Sequence, residues 1–188
     1  MIFFAQKDFT SASFLSLILK GEAASGKTHM LRIFTQKFPV EFLKKEEISD
    51  FNLNYFFERN KFYILENVDE IMDENLLFHL INCCLEGNAF LIFTTKNNLD
   101  FKLKDLVSRV KNFVKIEIEN PSLESIKLLL ANQFSRRQIK VSKAIIDSIA
   151  NNINRNYEAI FSVVKKIDFF VQEGGKKLTA KIVKQFTI

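Results

Sequence analysis

Residues Gly21-Glu22-Ala23-Ala24-Ser25-Gly26-Lys27-Thr28 fit the spacing G-x-x-x-x-G-K-[ST] of a phosphate-binding loop. The chemistry of such a string is anion capture. Backbone N–H groups close around the α- and β-phosphates of a nucleotide, and the helix that follows aims its N-terminus at them. Lys27 reaches the β- and γ-phosphates, and the Thr28 hydroxyl ligates Mg²⁺. A Gly-containing turn before a helix is the bland alternative. The flanks favour the loop, because apolar residues 14–19 before it read as a buried strand and residues 29–37 after it as an amphipathic helix.

A second signal lies in Phe62-Tyr63-Ile64-Leu65-Glu66-Asn67-Val68-Asp69-Glu70, an apolar strand that ends in carboxylates. In P-loop triphosphatases the corresponding strand end places one carboxylate near Mg²⁺ and a second that polarises the attacking water. Glu66 takes the first place, holding Mg²⁺ directly or through water. Asn67 takes the second, and an amide accepts no proton at neutral pH. The pair predicts nucleotide binding with slow or absent intrinsic hydrolysis. Asp69 and Glu70 are candidate substitutes, but both lie beyond the strand end, where a carboxylate more often caps the next helix. A strand running into a solvated acidic turn is the bland alternative for the whole segment.

The remaining composition excludes more than it assigns. At 188 residues, with 47% hydrophobic and 26% charged, the chain suits one soluble globular domain or one plus a small companion. No run of 18 or more apolar residues marks a membrane span, and the first residues lack the form of a signal peptide. A cytoplasmic location is expected. The net charge of +5 accompanies an excess of Lys, Asn, Ile and Phe, a drift typical of A/T-rich codons. The Lys residues are therefore read as solvated faces and not as a nucleic-acid stripe. Cys83 and Cys84 are neighbours on one predicted helix, pointing about 100° apart, which does not suit a disulfide. His79 and Cys83 share a spacing of four, but two side chains on a half-buried helix face make no metal site.

These residues need a particular scaffold. Apolar runs at 14–19, 40–43, 62–65, 89–94 and 113–118 alternate with helical patterns at 28–37, 51–57, 74–85 and 103–110. Strands alternating with helices predict an α/β fold with a mainly parallel sheet, its faces covered by helices. Asn120-Pro121-Ser122 breaks the pattern, with Pro121 ending the strand and Ser122 capping a helix. Helices are then predicted at 123–136, 142–152, 157–172 and 179–186. Gly174-Gly175 stops the third and Thr179 caps the fourth. Residues 1–120 thus form a P-loop α/β base and residues 121–188 a small all-helical lid.

One further string is specific. Leu103-Lys104-Asp105-Leu106-Val107-Ser108-Arg109-Val110 resembles the Leu-x-Asp-Leu-x-Ser-Arg-Leu segment of the DnaA-related AAA+ family. From Gly21 to the C-terminus the order of elements resembles that family too, and within it the Hda-type regulators of DnaA, alphaproteobacterial versions above all. Glu66-Asn67 matches the acid followed by Asn that Hda-type proteins also carry. The resemblance implies an AAA+ base and lid binding ADP or ATP with Mg²⁺. It gives Arg109 the role of an arginine finger that reaches a neighbouring subunit's nucleotide, with DnaA, the DNA polymerase sliding clamp and further copies of the chain as partners. The bland reading of Arg109 is a surface arginine paired with Asp105, four residues earlier.

The chain departs from the family in three places. At the sensor-2 arginine of the lid stands Glu158. Arg155 lies about 4.5 Å earlier along the same helix, on a shared face, and is the candidate substitute in nucleotide binding. At the end of the fourth strand, Thr94-Thr95-Lys96-Asn97 replaces the expected acidic residue. Ahead of the first strand the family carries a longer segment that helps to hold adenine and, in Hda-type proteins, opens with a clamp-binding peptide. Gln6-Lys-Asp-Phe9 and Gln185-Phe-Thr-Ile188 resemble such peptides only vaguely. Full initiators carry a helix-turn-helix domain after the lid, and none is expected here, so no sequence-specific DNA binding is expected. The alternatives to a DnaA regulator are a helicase-loader or initiator-type accessory ATPase and a nucleotide-free interaction scaffold.

Overall fold

In the computed structural model, residues 16–44, 48, 57–71, 73–174 and 178–187 are described. Residues 14 and 15 of the first expected strand, the helix expected at 51–57 apart from Phe57, Gln6-Lys-Asp-Phe9, Gly175 and Ile188 lie outside them. The chain divides into two compact units. One comprises Met1–Gly21 and Lys27–Glu117, the other Glu22–Gly26 and Ile118–Ile188.

The first unit is built on a five-stranded sheet of β1 (Leu17–Gly21), β2 (Val40–Leu43), β3 (Phe62–Leu65), β4 (Phe90–Thr95) and β5 (Val114–Ile118), in the order β2-β3-β4-β1-β5. The β2–β3, β3–β4 and β4–β1 ladders are all parallel. Parallel neighbours need crossovers, and helices supply them: α1 (Lys27–Phe34), α2 (Glu74–Glu86) and α3 (Lys104–Val110). Helix cover explains why all four residues of β3 are buried. The α/β class and the parallel sheet expected from the sequence are therefore present.

Strand β1 runs later than expected. Its register pairs Leu17–Lys20 with Ile92–Thr95, which carries the ladder through Lys20 up to the glycine loop. Helix α1 is shorter than expected, because Thr35, Gln36 and Lys37 close tight turns onto Leu31, Ile33 and Phe34 before Pro39. The core of this unit includes Tyr63, Leu65, Leu77, Ile81, Leu91, Phe93 and Leu106.

The second unit is helical beyond β5, with α4 (Leu123–Arg136), α5 (Lys143–Asn152), α6 (Tyr157–Gln172) and α7 (Ala180–Val183), the last continued by a 3-10 turn over Lys184–Phe186. Ser122 caps α4 as expected, its Oγ accepting the N–H of Ser125 at 3.2 Å. Thr179 accepts from Ile182 at 3.4 Å, and Gly174, at φ 75°, follows the end of α6. Ile126, Leu130 and Phe134 of α4 meet Ile149 of α5 and Ile160, Val164 and Ile167 of α6 in a separate core. No helix among the described residues is long and apolar enough to cross a membrane.

Candidate functional site

In a parallel sheet the strands end on one edge, and that edge gathers the polar residues singled out above. β1 ends at Gly21, β3 at Leu65 just before Glu66, and β4 at Thr95 just before Lys96. The register sets Lys20 opposite Thr95, and Leu65 opposite Phe93.

The glycine loop turns tightly, with Ser25 N–H donating to the Glu22 carbonyl at 3.2 Å. Ala24 and Gly26 take left-handed backbone angles, φ 60° and 94°. A side chain at Gly26 would meet nothing within 4 Å, so its glycine is required by conformation, and the space beside it stays open. Glu22 is exposed and accepts from the Asn120 amide at 3.2 Å, Ala23 is half-buried, and the Ser25 hydroxyl is buried with no partner among the described residues.

Lys27 opens α1 and is buried, its ammonium donating to the Gly21 carbonyl. Burial lowers its pKa first of all. Asp69 raises it, Lys96 lowers it, Glu66 raises it, and the net shift is downward. Thr28, one residue on, is exposed, and its Oγ1 donates to Oε1 of Glu66 at 2.6 Å. A hydroxyl and a carboxylate converging in this way are hard oxygen donors of the kind Mg²⁺ takes. No group of three or more His, Cys, Asp or Glu among the described residues could hold a metal. An ion between Thr28 and Glu66 would therefore complete its shell with phosphate and water oxygens, as Mg²⁺ ordinarily does.

Asn67 follows Glu66 in the left-handed region, φ 53° and ψ 53°. Its backbone N–H donates to Oγ1 of the fully buried Thr94 at 2.9 Å, tying the end of β3 to β4. Asp69 does not cap the next helix. Its Oδ2 accepts the N–H groups of Lys96 and Asn97 at 3.2 and 3.3 Å and the Asn97 amide at 3.1 Å. Burial pushes its carboxyl up, but the backbone N–H donors outweigh burial and hold it below the ordinary carboxylate value. Its other oxygen, Oδ1, is buried with no hydrogen-bond partner among the described residues, and a carboxyl held below its ordinary value is a weak base. Glu70 pairs with Lys96 at 3.4 Å, and the cap of α2 is Asp73, which accepts from Asn75 and Leu76. The partners of Asp69 and the capping role of Asp73 were not foreseen from the sequence, because spacing along the chain gives no sign of which backbone a carboxylate will meet.

Arg109 lies on α3, exposed, between the buried positions Leu106 and Val110. The pairing with Asp105 does not occur, and Arg109 makes no side-chain hydrogen bond or ion pair with any described residue. Arg155 is exposed and does not lie on the helix of Glu158. Asn156 is extended, at φ −135° and ψ 161°, and caps α6 by accepting from Ala159 at 2.8 Å. The chain is therefore non-helical at Arg155, which removes the shared helix face expected from the sequence. Cys83 and Cys84 are free thiols, and burial pushes Cys84 up to about 12.

No protein-family profile matches the chain. The chromosomal replication initiator DnaA of Flavobacterium psychrophilum is 25% identical over 207 aligned positions, which span 93% of this chain and 42% of that protein. DnaA of Bacteroides fragilis is 24% identical over 82% of this chain. The chain spans about two fifths of the length of these relatives. Among solved structures, domain III of Thermotoga maritima DnaA superposes with a TM-score of 0.74 at 16% identity, over 92% of this chain and 83% of that one. DnaA bound to AMPPCP and single-stranded DNA gives 0.65 at 16%, over 85% of this chain and 58% of that one. The Thermotoga maritima RuvB Holliday junction branch migration motor gives 0.67 at 15%, over 93% and 61%. At such identities the structures establish the fold, and the replication initiators supply the relation in sequence. In sequence and in fold the chain is similar to DnaA, and its own fold is α/β with a parallel sheet.

Proposed function

We propose that the chain is a DnaA-related regulator of replication initiation that holds adenine nucleotide with little turnover and offers Arg109 to ATP bound on DnaA. The observation that carries the reading is the contrast between two positions. Thr28 and Glu66 converge as a Mg²⁺ site would require, while the residue after Glu66 is an amide and not an acid. Such a site favours retention of ADP or ATP over hydrolysis. Gly21 to Thr28 would cradle the phosphates, and Arg155 is the lid's candidate contact to the nucleotide. The base would comprise residues 1–120 and the lid 121–188.

Arg109 supports the second half of the proposal, being exposed, without a side-chain partner among the described residues and carried on a short helix. A guanidinium delivered to a neighbour's γ-phosphate stabilises the charge that develops there, worth about 10³–10⁵ in rate in other systems. Assembly with the DNA polymerase sliding clamp, or with further copies of the chain, would bring it into place. A loader- or initiator-type accessory role is the second reading, supported by the likeness in fold to a DnaA bound to single-stranded DNA.

The test follows hydrolysis of ATP prebound to DnaA, with clamp and DNA present, on adding this protein or its Arg109→Ala variant. Stimulation by the wild type that is lost in the variant is expected. Equal stimulation by both removes the finger, and none by either favours the accessory role.

A further inference from the structure

Helix α3, which carries Arg109, is seven residues long and begins poorly. Its N-cap residue is Leu103, which has no side-chain acceptor to offer the first turn. An isolated helix of this length is far from self-sustaining, so its placement must come from elsewhere. Leu106 and Val110 bury one face and Leu103 packs partly buried against the same core, but apolar contacts are non-directional and leave the rotation and sliding of so short a helix weakly determined.

Glu74, the first residue of α2, supplies what is missing. Its carboxylate accepts the Lys102 N–H on both oxygens at 3.0 Å and the Leu103 N–H on Oε2 at 2.6 Å. These are the last two backbone donors before α3 begins. Neighbouring Asp73 caps α2 itself, so two consecutive acids serve two different helices. Charge-assisted bonds to backbone N–H are among the stronger polar contacts a surface carboxylate makes. The same bonds hold Glu74 below the ordinary carboxylate value.

We infer that Glu74 is a positioning residue for Arg109: by gripping the Lys102 and Leu103 N–H groups it fixes where α3 starts and hence where the guanidinium stands. The inference rests on the role proposed above for Arg109, and it adds a residue that no spacing in the sequence points to. Asp69 anchors the other end of the same segment through Lys96 and Asn97. The chain from β4 to α3 is thereby held at two points by the stretch that follows Glu66.

The experiment compares the full-length wild type with Glu74→Ala and Glu74→Gln by backbone amide exchange, ADP affinity and stimulation of hydrolysis on DnaA. In Glu74→Ala, exchange over residues 102–110 should quicken about tenfold while β3 and β4 stay protected. ADP affinity should hold within about twofold, and stimulated kcat should drop about tenfold to a hundredfold, the scale on which a small misplacement acts. Glu74→Gln keeps one acceptor oxygen and should lie between, which also guards against a variant that folds badly. Unchanged protection of α3 in Glu74→Ala overturns the inference, whatever the hydrolysis assay gives. So does loosened protection with undiminished stimulation. If the wild type itself stimulates nothing, the role proposed for Arg109 falls separately, and exchange alone still decides whether Glu74 holds the helix.

Discussion

Thr28 Oγ1 stands 2.6 Å from Oε1 of Glu66, a hydroxyl at the start of α1 meeting a carboxylate at the end of β3 across 38 residues of sequence. Only the parallel sheet brings them together, since β4 lies between the strands that carry them. If the pair shares Mg²⁺ with a nucleotide, Thr28→Ala or Glu66→Gln should remove the Mg²⁺-dependent part of ADP affinity, about tenfold or roughly 1.4 kcal/mol. Calorimetry with and without EDTA measures it. An equal loss in both conditions would assign the pair to folding alone.

Asn67 combines two properties, an amide that cannot take a proton and a left-handed backbone that Asn tolerates better than most residues. Asn67→Asp keeps the backbone preference and adds a base. Steady-state phosphate release should rise about tenfold to a hundredfold. Asn67→Ala should instead cost about 1 kcal/mol of stability from the left-handed angle, read by denaturant unfolding, and Asn67→Gly should not. A turnover unmoved by Asp would show that the attacking water lies elsewhere.

The pH dependence of binding should follow Lys27. Burial, the largest cause, sets its pKa below the ordinary lysine value, and only the charged form attracts phosphate. Affinity for ADP is therefore full below the lowered pKa and declines as pH rises through it. A bound phosphate raises the pKa again, so binding takes up protons in that window. Stability has the opposite sign: the charged form is disfavoured on folding, and this penalty is relieved as pH rises from the folded to the unfolded pKa. Calorimetry in buffers of different ionisation enthalpy reads the uptake, and Lys27→Gln should abolish it.

Gly87 offers a test of packing away from the site. A Cβ there would stand 2.6 Å from the Phe57 carbonyl oxygen and 2.8 Å from the Phe57 Cβ, and a backbone oxygen yields little. Gly87→Ala should destabilise the protein by about 1–3 kcal/mol in urea unfolding, the usual scale of overpacking. A neutral result would mean that the chain around Phe57 shifts freely.

Much of this molecule was legible in order. Apolar residues bounded by turn residues gave β2 and β3 to the residue. β3, buried along its whole length, leaves a continuous apolar signal, whereas β2 lies at the sheet edge and is only partly buried. The four helices after Pro121 were equally plain from their 3.6-residue periodicity, and the phosphate loop was written in contiguous residues. The errors fell where a boundary depends on a partner. β1 ends with its ladder to β4, and Arg155 leaves the helix because Asn156 takes the cap.

The sequence by itself determined the parts whose chemistry is local: the glycine loop with Lys27 and Thr28, the acid-then-amide order at Glu66 and Asn67, the caps at Ser122 and Thr179, and the alternation that makes an α/β sheet. Tertiary structure alone decided which oxygens meet which donors. Asp69 receives Lys96 and Asn97, Glu74 receives Lys102 and Leu103, and Arg109 is left without Asp105. The reason is physical. A carboxylate takes whatever N–H the fold brings within about 3 Å, and that proximity is set by strand order and crossovers, not by spacing along the chain.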